Sequence, residues 1–218
     1  MPFAPRPLAV ALLLAAAPAT AHAQATATPA SATPAAPAAA PALLPALSAA
    51  EQIAAATLPL PAELRASATV LGHATPGGAL GTLRQGDGSF VCLAPVPRAE
   101  RFHAACYHRA LEPFMARGRA LRTAGTTGDR VDSVRFADVR AGRLVMPTGP
   151  ATLYSLTGPA AGYDAAANVA RGARALVVVY IPGATEASTG LSTKPQENAP
   201  WLMFPGTPKA HIMFTPRM

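Results

Sequence analysis

Cys92 and Cys106 constrain this chain more than any other pair of residues. They are the only two cysteines in 218 residues, so the chain can form just one covalent bridge with itself. That bridge would close a loop of about 15 residues, worth roughly 3 kcal/mol if the gain is lost entropy of the unfolded chain. It needs Cα atoms about 4.4 to 6.8 Å apart, which is natural if residues 104–107 pair beside 90–93 as neighbouring strands. An even cysteine count favours the disulfide in an oxidising compartment. The question becomes where the chain resides.

Residues 1–23 answer it. Arg6 gives a positive start, Leu8 to Ala17 an apolar run, and Ala21-His22-Ala23 a small-x-small cleavage site. This order is that of a secretory signal peptide. The apolar run is about half the 20 residues that a membrane-spanning helix needs, and Pro18 stands directly after it. Cleavage before Gln24 is expected, which predicts a soluble periplasmic or secreted protein. Residues 24–47 are Ala, Pro, Thr and Ser with a few Leu, and Pro29, Pro34, Pro37, Pro41 and Pro45 break any helix the alanines favour. They read as a disordered Ala/Pro-rich tether. Residues 48–218 suit a single domain with a core of its own.

The formal charge is +7, carried by Arg rather than Lys. Ten arginines fall between Arg98 and Arg143 against five acids. A basic stretch of this kind is either a solvated surface or a contact for an anionic envelope surface. Nucleic acid is not expected as the partner of an exported chain.

Periodicity and breakers then place the elements. Ser48-Ala-Ala-Glu51 is a capping box, so a helix is predicted over 49–57, with Ile53, Thr57 and Leu58 as its stripe and Pro59 as its stop. Strands are predicted at 68–71, 81–84 and 89–93, with a proline-marked loop after them. Pro113 suits a first helical turn, giving a helix to Ala124, and a second runs from Asp129 to Arg140. Asp129 and Asp132 there read as dipole compensation. Strands are also predicted at 151–157 and 175–181. The unbroken apolar run of the latter argues for a central strand buried on both faces. Residues 201–204 and 210–214 flank Pro205-Gly-Thr-Pro208 and read as a hairpin with a four-residue connection. The fold class is α+β: a mostly antiparallel sheet with two or three helices on one side. Two long irregular stretches remain, 158–174 and 182–199.

The candidates for chemistry are few. A metal reading competes with the disulfide: Cys92, His103, Cys106 and His108 are a ligand set that zinc or copper accepts. On a helix 103 and 106 share a face without 108; on a strand 106 and 108 do without 103. All converge only in an irregular loop. His211 and Met213 share a strand face near Met203, either as soft copper ligands or as plain core packing. The hydroxyl-rich loop holds Thr185, Glu186, Ser188, Thr189, Ser192 and Lys194, a candidate ligand loop or a mobile surface segment. The sequence holds no G-x-S-x-G, Ser-x-x-Lys, phosphate-binding glycine loop or H-E-x-x-H. No cofactor is implied.

Gly88-Ser-Phe-Val-Cys92-Leu, then Cys106, then Ala199-Pro-Trp-Leu-Met203 with Pro205-Gly-Thr-Pro208-Lys-Ala-His-Ile-Met213 resemble a group of small exported bacterial proteins. Those proteins share a signal peptide, two cysteines and a Pro-Gly-x-Pro C-terminal hairpin. The resemblance implies paired cysteines and carries no activity. The expected function is a non-catalytic exported binding or interaction domain. The alternatives are a cell-envelope hydrolase drawing on Ser188, Ser192, Lys194, His103 and His211, and a periplasmic metal-binding protein using the Cys/His cluster.

Overall fold

The disulfide sits at the centre of a computed structural model that describes residues 42–75, 78–196 and 198–216. Strand β3 (Phe90–Leu93) runs antiparallel to β4 (Arg101–His108), and Cys92 stands directly opposite Cys106. Their Cα atoms are 4.0 Å apart and the sulfurs are bonded. The register expected from the bridge is the register found: Val91 faces Tyr107 and Leu93 faces Ala105. Such a bond suits an oxidising compartment.

Around this pair lies an eight-stranded sheet. Its other members are β1 (Thr69–His73), β2 (Leu80–Arg84), β5 (Ala151–Pro159), β8 (Arg174–Tyr180), β9 (Trp201–Met203) and β10 (His211–Phe214), in the order β2-β1-β3-β4-β5-β8-β10-β9. Every pairing is antiparallel except β1 with β3. A two-stranded excursion, β6 (Tyr163–Asp164) with β7 (Val169–Ala170), fills the stretch after β5. The α+β class and the single compact domain agree with the sequence reading. No helix among the described residues is long and apolar enough to cross a membrane.

The helices, expected on one side, divide between the two faces. Because side chains alternate along a strand, Cys92 and Cys106 point one way and Val91 and Tyr107 the other. The first face is covered by α1 (Ala49–Thr57), whose Ala56 packs with Val70, Phe90, Cys92 and Cys106. The second is covered by Leu111 and Met115, which lead into and lie on α3 (Glu112–Thr123), packed with Val91, Tyr107, Val178 and Tyr180. Helix α4 (Arg130–Arg140) packs on α3, with the Arg135 guanidinium 3.9 Å above the Phe114 ring. Two helices of four residues complete the set, α2 (Ala62–Arg65) and α5 (Glu186–Thr189).

The capping box of α1 forms as its sequence predicts. Of the expected stripe Thr57 is buried, while Ile53 and Leu58 are half-buried at the edge of the core; Gln52, Ala55 and Ala56 fill the rest of the buried face. Small side chains win because the helix must approach the disulfide closely. The Cys106 sulfur, which carries no proton, lies 3.1 Å from the Ala56 carbonyl oxygen.

The packed chain also begins earlier than Ser48. Leu44 and Leu47, assigned to the tether on composition, are buried, and Leu44 exchanges backbone hydrogen bonds with Ala99 and Arg98 at 2.8 and 2.9 Å. Residues 1–41, which hold the expected signal peptide and most of the expected tether, lie outside the described residues. Strand β8 is central in the sheet, yet only Val178 and Tyr180 are buried. The cover over the first face, α1 with the β6–β7 excursion, reaches it at Ala175 and not at Val177 or Val179.

Candidate functional site

At the far end of β8 the chain turns through Ile181-Pro-Gly-Ala184, and three backbone hydrogen bonds bind this turn to the β9–β10 connection. Ile181 donates to Ala210 at 2.9 Å, Gly183 to Thr207 at 2.9 Å, and Gly206 to Ala184 at 2.7 Å. Gly183 and Gly206 have φ of +78° and +72°, values glycine takes without a Cβ penalty. Met203 faces His211 in the hairpin, so the connection spans 204–210, longer than the four residues expected.

Asp132 ties this connection to α4. It accepts from Lys209 Nζ at 2.8 Å and from Arg135, while Lys209 lies 4.3 Å from the centre of the Phe204 ring. Burial opposes ionisation of Asp132, but the hydrogen bonds from Lys209 and Arg135, with their charges, outweigh it and hold the carboxyl below its ordinary range. Asp132 stands in the first turn of α4, where the sequence reading puts dipole compensation, and it is also a cross-link to the hairpin.

Between α4 and the joined turns lies a groove of about 440 Å³. Phe136 and Val139 of α4, Met146, Pro182 and Pro208 give it apolar walls, and Arg140 stands at its rim. Arg140 is exposed and has no side-chain partner among the described residues. A second hollow of about 340 Å³ shares Pro182 and Gly183 and extends toward Thr148, Pro150 and Ser188. A cleft of this size with apolar walls and few polar groups is the usual form of a small-molecule site.

The hydroxyl-rich loop contributes little to the cleft. Of Thr185, Glu186, Ser188, Thr189, Ser192 and Lys194, Ser188 alone lines it. The others hold the loop itself: Thr185 and Ser188 form the capping box of α5, Thr189 Oγ1 donates to the Thr185 carbonyl at 2.8 Å, Thr193 Oγ1 donates to Glu186 at 3.1 Å, and the Lys194 amide donates to Ser192 Oγ at 3.1 Å. The groove residues carry no local signal of their own in the sequence. They meet only through tertiary packing: the pairing of β8 with β10 joins the two turns, and the Asp132–Lys209 pair ties α4 to the β9–β10 connection.

The Cys/His ligand set does not assemble. Both sulfurs are in the disulfide, so neither is a thiolate. His103 projects from the face of β4 opposite to Cys106. His108 accepts from the Ala110 amide at 3.2 Å and sets its ring edge-on to Phe90. Among the described residues no group of three or more His, Cys, Asp or Glu could hold a metal ion. His211 lies between Tyr180 and Phe204 with its ring tilted to both, and Met213 packs into the core with Val178 and Tyr180, so the soft-ligand pair is core packing.

Catalytic geometry is sparse too. The one hydroxyl–imidazole hydrogen bond among the described residues joins His103 Nδ1 and Thr157 Oγ1 at 2.8 Å, and no carboxylate bonds to that imidazole. No side-chain to side-chain hydrogen bond among the described residues joins His211, Ser188, Ser192 and Lys194; Ser192 Oγ accepts only from the Lys194 backbone amide. The arginines of 98–143 do not form one face either. Arg109 donates to the carbonyls of Gly86 and Gly88, Arg119 to Tyr107 and Glu112, and Arg117 and Arg143 to Asp138. Arg135 is buried. Compared with protein-family models, curated proteins and solved structures, the chain matches none.

Proposed function

We propose that this chain is an exported, non-catalytic binding protein whose ligand enters the groove between α4 and the β9–β10 connection. The observation that carries this reading is the groove itself: apolar walls, a pre-organised rim and one unpaired guanidinium, with no nucleophile–base pair among its described residues. Backbone hydrogen bonds and the Asp132–Lys209 ion pair fix the rim before any ligand arrives. Such pre-organisation lowers the ordering cost of binding. The signal-like N-terminus and the disulfide support a periplasmic or secreted setting. A hydrolase finds no comparable support, since the single His–Thr pair lies on the sheet and lacks an acid.

The test uses anilinonaphthalene sulfonate, an apolar anion, as the probe. Saturable one-to-one fluorescence enhancement is expected with the native protein. Val139→Trp, which fills the groove, should weaken it by about tenfold or more, a loss of about 1.4 kcal/mol. Arg140→Glu should weaken it as well. Enhancement that is unsaturable, or equal in both variants and the parent, defeats the groove as the site.

A further inference from the structure

At the other end of β8, the sheet register assembles a second polar group independent of the groove. His103 on β4 stands opposite Thr157 on β5, and Thr157 stands opposite Arg174 on β8. Arg101 precedes His103 by two residues and so shares its face. The imidazole Nδ1 lies 2.8 Å from the Thr157 hydroxyl. Arg101, His103 and Arg174 are exposed, and neither arginine has a side-chain partner among the described residues.

Arg101 and Arg174 stand on strands separated by β5, on either side of Thr157, and no carboxylate among the described residues pairs with either. Asp164 is taken up by Arg171 at 3.5 Å on the β6–β7 excursion, which packs on the opposite face. Glu100 precedes the strand. Although His103 is exposed, partial desolvation of its ring against the sheet, with Arg101 as the one charge acting on it, holds the imidazole below its ordinary range. The β3 neighbour on this face, Leu93, is apolar, as is Leu176 on β8.

We propose that Arg101, His103, Thr157 and Arg174 form a binding site for the oxyanion of a phosphate group, seated over Thr157 with a guanidinium on either side. Neighbouring strands are about 4.8 Å apart, so His103 and Arg174 flank Thr157 within one side-chain length. Planar guanidinium forks match phosphate oxygens in pairs, and the threonine hydroxyl and imidazole supply two further donors. The negative charge of a bound phosphate favours imidazolium, so binding raises the His103 titration midpoint. The half-buried Leu93 and Leu176 beside the cluster suit the apolar part of a phospholipid, while the cluster alone suits a soluble phosphate.

The experiment is an NMR titration of the histidine ring protons in the mature chain, in inorganic phosphate and in sodium chloride at equal ionic strength. In phosphate, the His103 titration midpoint should rise by about half a pH unit or more relative to chloride, as expected for a nearby opposite charge. His73, His108 and His211 should not follow. Arg101→Ala and Arg174→Ala should each weaken phosphate binding about fivefold or more, whereas Arg130→Ala, an exposed arginine on α4, should not. Thermal melts of all three variants check that each is folded. A His103 midpoint equal in both salts overturns the site. So does Arg130→Ala weakening binding as much as the other two, which would reduce the effect to net charge. Co-sedimentation with phosphatidylglycerol vesicles, lost in the two site variants and competed by phosphate, assigns the group to a lipid headgroup. A phosphate effect without co-sedimentation assigns it to a soluble ligand.

Discussion

Gln52 is buried in α1, and its side-chain amide works as a piece of strand. Its Nε2 donates to the carbonyls of Leu47 and His73 at 3.1 and 2.9 Å, and its Oε1 accepts from the His73 amide at 2.7 Å. It thereby joins the N-terminal segment, α1 and the end of β1. Gln52→Leu keeps the volume but leaves the His73 amide and carbonyl without partners, which should cost about 2 kcal/mol or more in urea unfolding. Gly72 makes that approach feasible: a Cβ there would lie 2.6 Å from Gln52 Oε1 and 2.3 Å from Leu83 Cδ1. His211 illustrates a different residue-level effect. Burial, aided by the Lys209 charge, lowers its pKa from 6.5 against the opposing hydrogen bond to the Lys209 carbonyl. The unfolded chain therefore binds the proton more readily than the folded one. The stability this contributes is present above about pH 6.5 and is lost as pH falls toward the folded value. His211→Phe, which keeps a ring between Tyr180 and Phe204, should flatten the stability profile between pH 7 and 5. Parallel profiles for parent and variant would refute the assignment.

At the scale of elements, the disulfide fixes β3 against β4 and gives α1 its seat. Replacing both cysteines by alanine should lower stability by about 3 kcal/mol, read as a fall in the guanidinium midpoint. Asp132→Ala should cost about 3 kcal/mol as well, because it leaves the buried Arg135 without its carboxylate. Hydrogen exchange across 204–210 should quicken in that variant, since the tie from α4 to Lys209 is gone. Elements with local signals are legible in the sequence. The capping box, Pro113 and the glycines after α3 and α4 mark those helices to within a residue or two, and apolar runs mark β3 and β8. Strand β4 is masked within a stretch that reads largely as loop. Its Phe102 and Ala104 are fully buried, but Arg101 and His103 alternate with them, and Pro95 and Pro97 precede them. The alternation is a strand signal that charge composition obscures. The candidate groove is not legible at all, because Phe136, Met146, Pro182 and Pro208 are brought together only by tertiary packing.

For the whole molecule, the division of helices between two faces stems from the sheet's own pattern. A strand such as β4 buries Phe102, Ala104 and Cys106 on one side and Tyr107 on the other, so both faces require cover. On the first face α1 is too short to cover eight strands, and the segment before it completes the cover over β4 and β5. Leu44 and Leu47 pack with Phe102, Ala104 and Leu156, and the Phe102 ring stacks on Tyr163 of the β6–β7 excursion at 4.5 Å. Composition hides this, because Leu44 and Leu47 sit among alanines and prolines that read as tether. The domain therefore needs residues that a boundary at Ser48 discards. Burying a leucine side chain is worth about 1.5 to 3 kcal/mol, and the two Leu44 backbone hydrogen bonds add to that. A chain starting at Pro41 should unfold at the same denaturant midpoint as the mature protein. One starting at Ser48 should be destabilised by about 3 to 5 kcal/mol. Because Gln52 loses its Leu47 partner in the shorter chain, the Gln52→Leu substitution should cost less there than in the longer one. Equal midpoints for the two chains would show that the N-terminal segment rests on the sheet without supporting it.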